Sequence, residues 1–235
     1  MSDHFQIAID GPVAAGKGTV SRLVAERLGF LYVDTGAMYR VTAYLALQNS
    51  IDLDDEAKLV ELIKDSSIEM RNPNDDERDG RQTTVLLNGE DVSWKIRTEA
   101  VGSGASKVAM LKKVREELVK KQQQIAAKTN VVMEGRDITY RVLPDADVKI
   151  YLTAGEVVRA KRRHLQLQTR GSDVGFDEVY KELLLRDEQD MGRTHDPLKI
   201  VDGAWVVDTS DLSIDQVVNL IVAKVKVMQQ NVHKH

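Results

Sequence analysis

Gly11-Pro12-Val13-Ala14-Ala15-Gly16-Lys17-Gly18-Thr19 (GPVAAGKGT) follows the short apolar run Phe5 to Ile9 and precedes Val20, Leu23, Val24 and Leu28 at helical spacing, with Gly29 as a stop. Strand, glycine-rich turn and helix in that order form the context in which a GxxxxGK stretch holds phosphate. Its backbone N–H groups turn inward, the helix N-terminus adds partial positive charge, and the lysine ammonium reaches the outer phosphates. The bland alternative is a tight strand-to-helix turn with one exposed lysine; both flanks being correct favours the phosphate loop. All nine residues from Gly11 to Thr19 are therefore candidates for nucleotide binding, and Lys17 is the candidate for catalysis.

Outward from the loop, Phe30 to Val33 reads as a second strand, and helical patterns run over about Ala37 to Gln48 and Asp54 to Lys64. The stretch Asn72 to Arg81 is polar and contains proline, so it reads as a loop. Beyond it, Gln82 to Leu87 and Glu90 to Val92 flank Asn88-Gly89, a two-residue hairpin signal. Residues 67–94 thus form a small β insertion. Helices are expected over about Thr98 to Ala109 and Lys112 to Ala127, strands at Val131 to Met133 and Val148 to Leu152. A basic helix opens with capping-box spacing at Thr153 and Glu156, another helix covers Phe176 to Gly192, and the last strand is Trp205 to Val207. Ser213 and Gln216 open the closing helix. Strands alternating with helices predict a parallel sheet covered on both faces, with ligands at the strand C-termini.

The 235 residues suit one main domain, and 42% apolar with 30% charged residues is globular composition. No apolar run approaches the roughly 18 residues of a membrane span, and the start MSDHFQ lacks the pattern of a secretion signal. The absence of cysteine excludes disulfides and thiol chemistry and suits a reducing cytoplasm. A net charge of −4 argues against a general nucleic-acid binder, so any anion site must come from a local cluster of cations. There is no NKxD motif and no hydrophobic run ending in Asp-Glu, which disfavours GTP switches and motor-type ATPases.

Several segments together resemble the bacterial cytidylate kinases over nearly the whole chain: IDGPVAAGKGT at 9–19, DTGAMYR at 34–40, IRTEAV at 96–101, KVRE at 113–116, EGRD at 134–137, LPDADVKIYL at 143–152 and RDEQDMGR at 186–193. The GKGT ending, with glycine after Lys17, is similar to nucleoside monophosphate kinases. The resemblance implies a P-loop NTPase fold with a five-stranded parallel sheet, one kinase domain over 1–235, residues 67–94 as an acceptor-side insertion and a helical lid at about 155–175. It also implies transfer of the γ-phosphoryl of ATP to CMP or dCMP, with Mg²⁺ held largely through water and no direct metal ligand assigned. Free nucleotides are the expected partners, with no nucleic acid and no membrane, and the expected state is a cytoplasmic monomer.

Residue by residue, the resemblance assigns Arg40, Arg136 and Arg193 to the acceptor phosphate, which arginine forks match chemically. Arg186 and Asp190 serve the sugar hydroxyls and neighbouring phosphates. Independently, they fall where the apolar stripe Phe176, Val179, Tyr180 and Leu183 would continue, so with Arg193, spaced four then three, they should face inward and pair with each other or a ligand; the alternative is a solvated i,i+4 salt bridge on a frayed last turn. Asp137, Arg115 and Ser106 match base-reading positions, and Thr35 and Tyr39 belong to the acceptor segment; Arg115 could equally be a solvated helix residue, and Ser106 a backbone partner. On the basic helix, Arg159 and Arg163 are the candidates for reaching the transferring phosphoryl, while Lys161 and Arg162 read as a solvated face; Arg170 lies in the loop beyond. Glu134 stands where an aspartate is usual, and ITYRVLPDA, Ile138 to Ala146, replaces a smaller glycine- and threonine-containing stretch, so Tyr140 and Arg141 could reshape the wall beside Asp137. The competing readings are a P-loop kinase for another small acceptor and a nucleotide-binding regulator without turnover.

Overall fold

Strands β1 (Gln6–Asp10), β2 (Leu31–Asp34), β6 (Val131–Gly135), β7 (Val148–Thr153) and β8 (Trp205–Asp208) pair in the order β2-β6-β1-β7-β8, and every pairing is parallel. The computed structural model describes residues 4–77, 79–169 and 171–232; Arg170 lies outside the described residues. Residues of the central strand alternate between two cores, as the period of two requires. Ala8 joins Val33 and Met133 on one face, and Ile7 and Ile9 join Val132, Ile150 and Leu152 on the other. Helices α1 (Lys17–Leu28) and α8 (Ile214–Val232) cover the second face. The first is covered by α2 (Thr35–Gln48), α3 (Glu56–Asp65), α4 (Glu99–Val108) and α5 (Lys112–Ala126). Helices α6 (Glu156–Gln168) and α7 (Phe176–Gly192) form a separate pair between β7 and β8 in the chain.

The insertion is a three-stranded antiparallel sheet of β3 (Ile68–Arg71), β4 (Thr84–Leu87) and β5 (Glu90–Asp91). Asn88 and Gly89 both have positive φ, 51° and 83°, as a two-residue hairpin turn with the strands' twist demands. Ile68, Met70, Val85, Leu87 and Val92 merge with the core beneath the main sheet, so the insertion shares that core. Asn72 fastens it to β2, accepting from Tyr32 N–H (3.1 Å) and donating to Phe30 C=O (2.9 Å).

Two local expectations are corrected. Thr153 lies within β7 and does not cap α6, whose N-cap is Gly155 with no side-chain cap. The Ser213–Gln216 box forms as expected, each side chain accepting the other's backbone N–H, at 2.8 and 3.2 Å. The stretch after β6 is also unlike anything expected: Ile138–Val142 is one turn of π-helix, closed by Leu143 N–H donating to Ile138 C=O (2.8 Å).

That turn is held by Asp10, a fully buried carboxylate at the end of β1. Its Oδ1 accepts from Ile138 N–H (2.9 Å), and its Oδ2 from Thr139 N–H (2.8 Å) and Thr139 Oγ1 (2.6 Å). Burial raises its pKa, and the three donors oppose that shift. Asp10→Ala leaves three donors without a partner where water has no access. We expect a loss of about 3 kcal/mol in urea unfolding, on the order of 1 to 3 kcal/mol per buried donor; a loss below about 0.5 kcal/mol would show that the turn does not depend on Asp10.

Candidate active site

The C-terminal ends of β1, β2 and β6 open into one cleft of about 750 Å³, lined by the loop from Val13 to Thr19, the start of α2, and parts of α4, α6, α7 and the β8–α8 connection. Nine cationic side chains line it, Lys17, Arg40, Arg97, Arg115, Arg136, Arg162, Arg163, Arg186 and Arg193, against the four carboxylates Asp34, Glu134, Asp137 and Asp190. In a chain of net charge −4, this local excess makes the cleft a site for polyanions.

At the loop, Gly11 is forced by close approach, since a Cβ there would lie 2.0 Å from the Leu152 carbonyl oxygen of β7. Gly18 is crowded too: its Cβ would meet Gln82 Oε1 at 3.1 Å and Glu134 Oε1 at 3.2 Å, which gives a physical reason for glycine after the lysine. Lys17 is buried and donates to the carbonyls of Gly11 (2.7 Å) and Pro12 (2.8 Å). Burial, then repulsion from Arg136, pushes its pKa down to about 7. Glu134 moves the other way: burial and nearby Asp34 raise its pKa, and Tyr32 OH donates to it at 3.0 Å.

Across the cleft, Asp190 is the junction of the arginines. Arg136 Nε donates to its Oδ2 (2.6 Å) and Arg193 Nη2 to its Oδ1, while the buried Arg193 Nε has no partner among the described residues. An orphaned guanidinium N–H at this point fits an anionic ligand. Arg40 makes only a long bond to the Ile96 carbonyl (3.4 Å), and burial followed by repulsion from Arg97 lowers its pKa. Thr35 Oγ1 donates to the Glu134 carbonyl (2.8 Å). The expectation that Arg186 and Asp190 both turn inward holds only for Asp190: the buried positions of α7 run Val179, Leu183, Asp187, Asp190. Arg186 stays exposed on the cleft wall.

Deeper in, Arg115 is buried rather than solvated. Its Nη2 donates to Asp137 Oδ2, Nη1 to the Ala109 carbonyl (3.2 Å) and Nε to Asp196 Oδ2 (3.0 Å), and its guanidinium lies 5.7 Å from the centre of the half-buried Tyr39 ring. Burial lifts Asp137 to about 6 against the pull of Arg115, with Asp10 and Asp196 adding repulsion. Ser106 is exposed on the cleft wall and donates a long bond to the Gly102 carbonyl (3.4 Å).

The basic helix corrects the sequence reading. Arg159 does not line the cleft; it is buried behind the phosphate loop, donating to the carbonyls of Ala154 (2.9 Å) and Val13 (3.1 Å) and to Asp187 Oδ2 (2.5 Å). Asp187 Oδ1 in turn accepts from Val13 N–H (3.3 Å), so the pair grips both polar groups of one loop residue. Arg162, expected on a solvated face, lines the cleft instead and donates to Thr209 Oγ1 (2.9 Å) and Thr209 C=O (2.6 Å). Arg163 faces the cleft as expected and bonds Gln166 Oε1 (2.8 Å). Sequence reading missed Asp10, Arg162, Asp187, Asp196 and the apolar end formed by Leu212, Ile214 and Val217. The position of that last group just past a parallel strand's C-terminus was the available signal.

The sequence model of the family described as Cytidylate kinase matches residues 7–227. A cytidylate kinase of Bacillus cereus is 45% identical over 224 residues, covering 95% of this chain and 96% of that protein. One of Bacillus anthracis is 45% identical over 223 residues, covering 94% and 96%. Among solved structures, an uncharacterized protein of Eubacterium ventriosum superposes with a TM-score of 0.52 at 9% identity, covering 95% of this chain and 99% of that one, a likeness of fold alone.

The lowered pKa of Lys17 leads to a linkage. With its pKa lowered to about 7, Lys17 is partly neutral near that pH; a triphosphate bound beside it would favour the ammonium, so such binding above about pH 7 should take up a proton. Calorimetry at about pH 8 in buffers of different ionisation enthalpy should show uptake approaching one proton per ATP, absent in Lys17→Met. Equal uptake by both proteins would overturn the assignment.

Proposed function

Because the chain belongs to the cytidylate kinase family and has that family's function, phosphoryl transfer from ATP to cytidylate, we propose that the cationic cleft binds both nucleotides end to end, with Lys17 between them. The charge imbalance of the cleft carries this reading, since two nucleotides bring about six negative charges to one place. The backbone from Gly11 to Thr19 cradles the donor phosphates. Leu212, Ile214 and Val217 offer the donor base an apolar seat, and Arg162 borders it. Arg40, Arg136 and Arg193 take the acceptor phosphate, Arg186 with Asp190 the sugar and adjoining phosphates, and Thr35, Tyr39 and Ser106 complete the acceptor wall.

An acceptor phosphate oxygen attacks the γ-phosphorus in line as the bond to the ADP oxygen breaks. Such a transition state spreads charge over peripheral oxygens, so the residues contribute placed cations rather than a strong nucleophile. Lys17, Arg136 and Arg193 supply them, Arg163 joins from α6 in the lid at about 155–175, and Arg159 positions the loop through Val13. A divalent ion, Mg²⁺ in this reading, neutralises the phosphates when bound. Thr19 and Glu134, with Asp34 beside Glu134, are the side-chain oxygens that would face it near the loop, a donor set that fits an ion keeping much of its water. The acceptor is CMP or dCMP, met by the insertion at 67–94. A cytoplasmic monomer without nucleic-acid or membrane partners belongs to the same reading; the net charge of −4 supports the exclusion of nucleic acid, and no helix among the described residues is long and apolar enough to cross a membrane.

Diphosphate formation across a panel of monophosphates tests the whole reading. Within it, Arg136→Ala and Arg193→Ala should raise KM for CMP at least about tenfold while leaving ATP affinity within about twofold, as loss of a charged bond at one end of the cleft requires. CMP affinity intact with ATP affinity lost would reverse the assignment of the two ends.

Asp137 is the proposed base reader, because an ionised carboxylate accepts from the N4 amino group of cytosine and repels the O4 lone pairs of uracil. With its pKa raised to about 6, the carboxyl gains a proton below that pH and becomes a donor that O4 accepts. The CMP to UMP ratio of kcat/KM should therefore fall as pH drops from about 7.5 to about 5.5. Both acceptors share the phosphate titration, which cancels; a flat ratio would remove Asp137 from base selection.

A further inference from the structure

Among the described residues, Asp196 is one of four non-glycine residues with positive φ, at 50°, and it sits three residues past the cleft arginine Arg193. Aspartate tolerates this region better than most side chains, but the conformation still requires support. Support comes from every side. Asp196 Oδ2 accepts from Arg115 Nε (3.0 Å), and Oδ1 lies 3.6 Å from Arg141 Nε. Tyr140 OH donates to the next carbonyl, Pro197 C=O (2.5 Å), and Leu198, itself buried, donates its N–H to the Asp190 carbonyl (2.8 Å). Lys199 stands over the Tyr140 ring at 4.4 Å. The π-turn residues that depart from the smaller stretch of the family are thus the ones that grip this segment.

Asp196 does not line the cleft; it stands behind Arg115. We infer that Asp196 is a positioning residue for base selection, fixing the guanidinium of Arg115 so that Arg115 holds Asp137 in one orientation. An arginine has five N–H groups, and three of Arg115's are already committed to Asp196, Ala109 and Asp137. The Nε bond is the one of the three that ties the guanidinium to a carboxylate other than Asp137, so it opposes rotation of the group without involving the base reader. Released from it, Arg115 can turn its freed donor toward the base, where a donor serves uracil O4 and opposes the cytosine amino group. Cytosine preference therefore depends on a carboxylate that never touches the nucleotide.

This rests on the reading of Asp137 as base reader, and its test separates the two. Steady-state kinetics with CMP, UMP and ATP are measured on the wild type, Asp137→Asn, Asp196→Gly, Asp196→Asn and Tyr140→Phe. Glycine keeps the positive φ without strain and removes only the carboxylate. Asp196→Gly should raise KM for CMP and lower the CMP to UMP ratio of kcat/KM, each about tenfold, with KM for ATP unchanged. Asparagine, whose carbonyl oxygen still accepts from Arg115 Nε, should restore most of the ratio. Tyr140→Phe cuts the tether at Pro197 without touching Arg115 and should leave it at the wild-type value. A wild-type ratio in Asp196→Gly overturns the inference while a collapsed ratio in Asp137→Asn leaves the base reading standing. An equal fall in Tyr140→Phe also overturns it, by assigning the effect to loop anchorage. A ratio unmoved in Asp137→Asn overturns the base reading and this inference with it. Should the glycine variant not fold, Asp196→Ser carries the same expectation.

Discussion

The carboxylate of Asp10 connects the phosphate loop to the turn that follows β6. It sits at the last position of the central strand, one residue before the phosphate loop, and accepts three hydrogen bonds from the turn that follows β6. The donor loop leaves β1 on one side of it, and Arg136 and Asp137 leave β6 on the other. Since β1 and β6 pair in register from Gln6–Val131 to Asp10–Gly135, the distance between the phosphate loop and the residues that follow β6 is set by a strand spacing and one buried carboxyl group. Phosphoryl transfer needs in-line alignment more than it needs a strong base, so a rigid baseline of this kind is the relevant asset.

Around that baseline, buried ion pairs set the position of groups that must not drift. Arg159 and Asp187 hold Val13 from behind, and α6 and α7, the helices that bear Arg162, Arg163 and Arg186, are thereby tied to the loop. Buried pairs contribute little net stability, because desolvation offsets most of their attraction, but they make one geometry cheaper than its neighbours. Among the described residues, Arg40 and Arg186 line the cleft without an ion pair, and Arg193 lines it with an orphaned N–H beside its bond to Asp190. These are groups whose charge is left largely for a ligand to meet.

Periodicity and turn chemistry were enough to read the layered fold, the hairpin at Asn88-Gly89 and the extent of α7 from the sequence, because each depends on residues close in the chain. The donor loop was legible for the same reason. Orientation on the basic helix was not. Arg159 and Arg162 are both arginines on an amphipathic surface, and only the tertiary position of Val13, well over a hundred residues away, decides that Arg159 turns inward while Arg162 reaches Thr209. Asp187 was hidden likewise: the apolar stripe of α7 continues through it, but a carboxylate in that register is recognisable as buried only once Arg159 is known to meet it. The π-turn had no local signal at all, since its hydrogen-bond partner lies in β1.

The strand order has a consequence for how the molecule comes into being. The strand carrying the phosphate loop precedes the other described strands in the chain, yet among the described residues its sheet neighbours are β6 and β7, beginning at Val131 and Val148. On a ribosome adding roughly 5 to 20 residues per second, β1 therefore waits on the order of ten seconds for a partner. Throughout that interval its apolar residues and unpaired edges are exposed, and the loop beyond it has no cradle to form. The walls of the cleft, which include residues from β6 onward, are complete only once those later segments have been made.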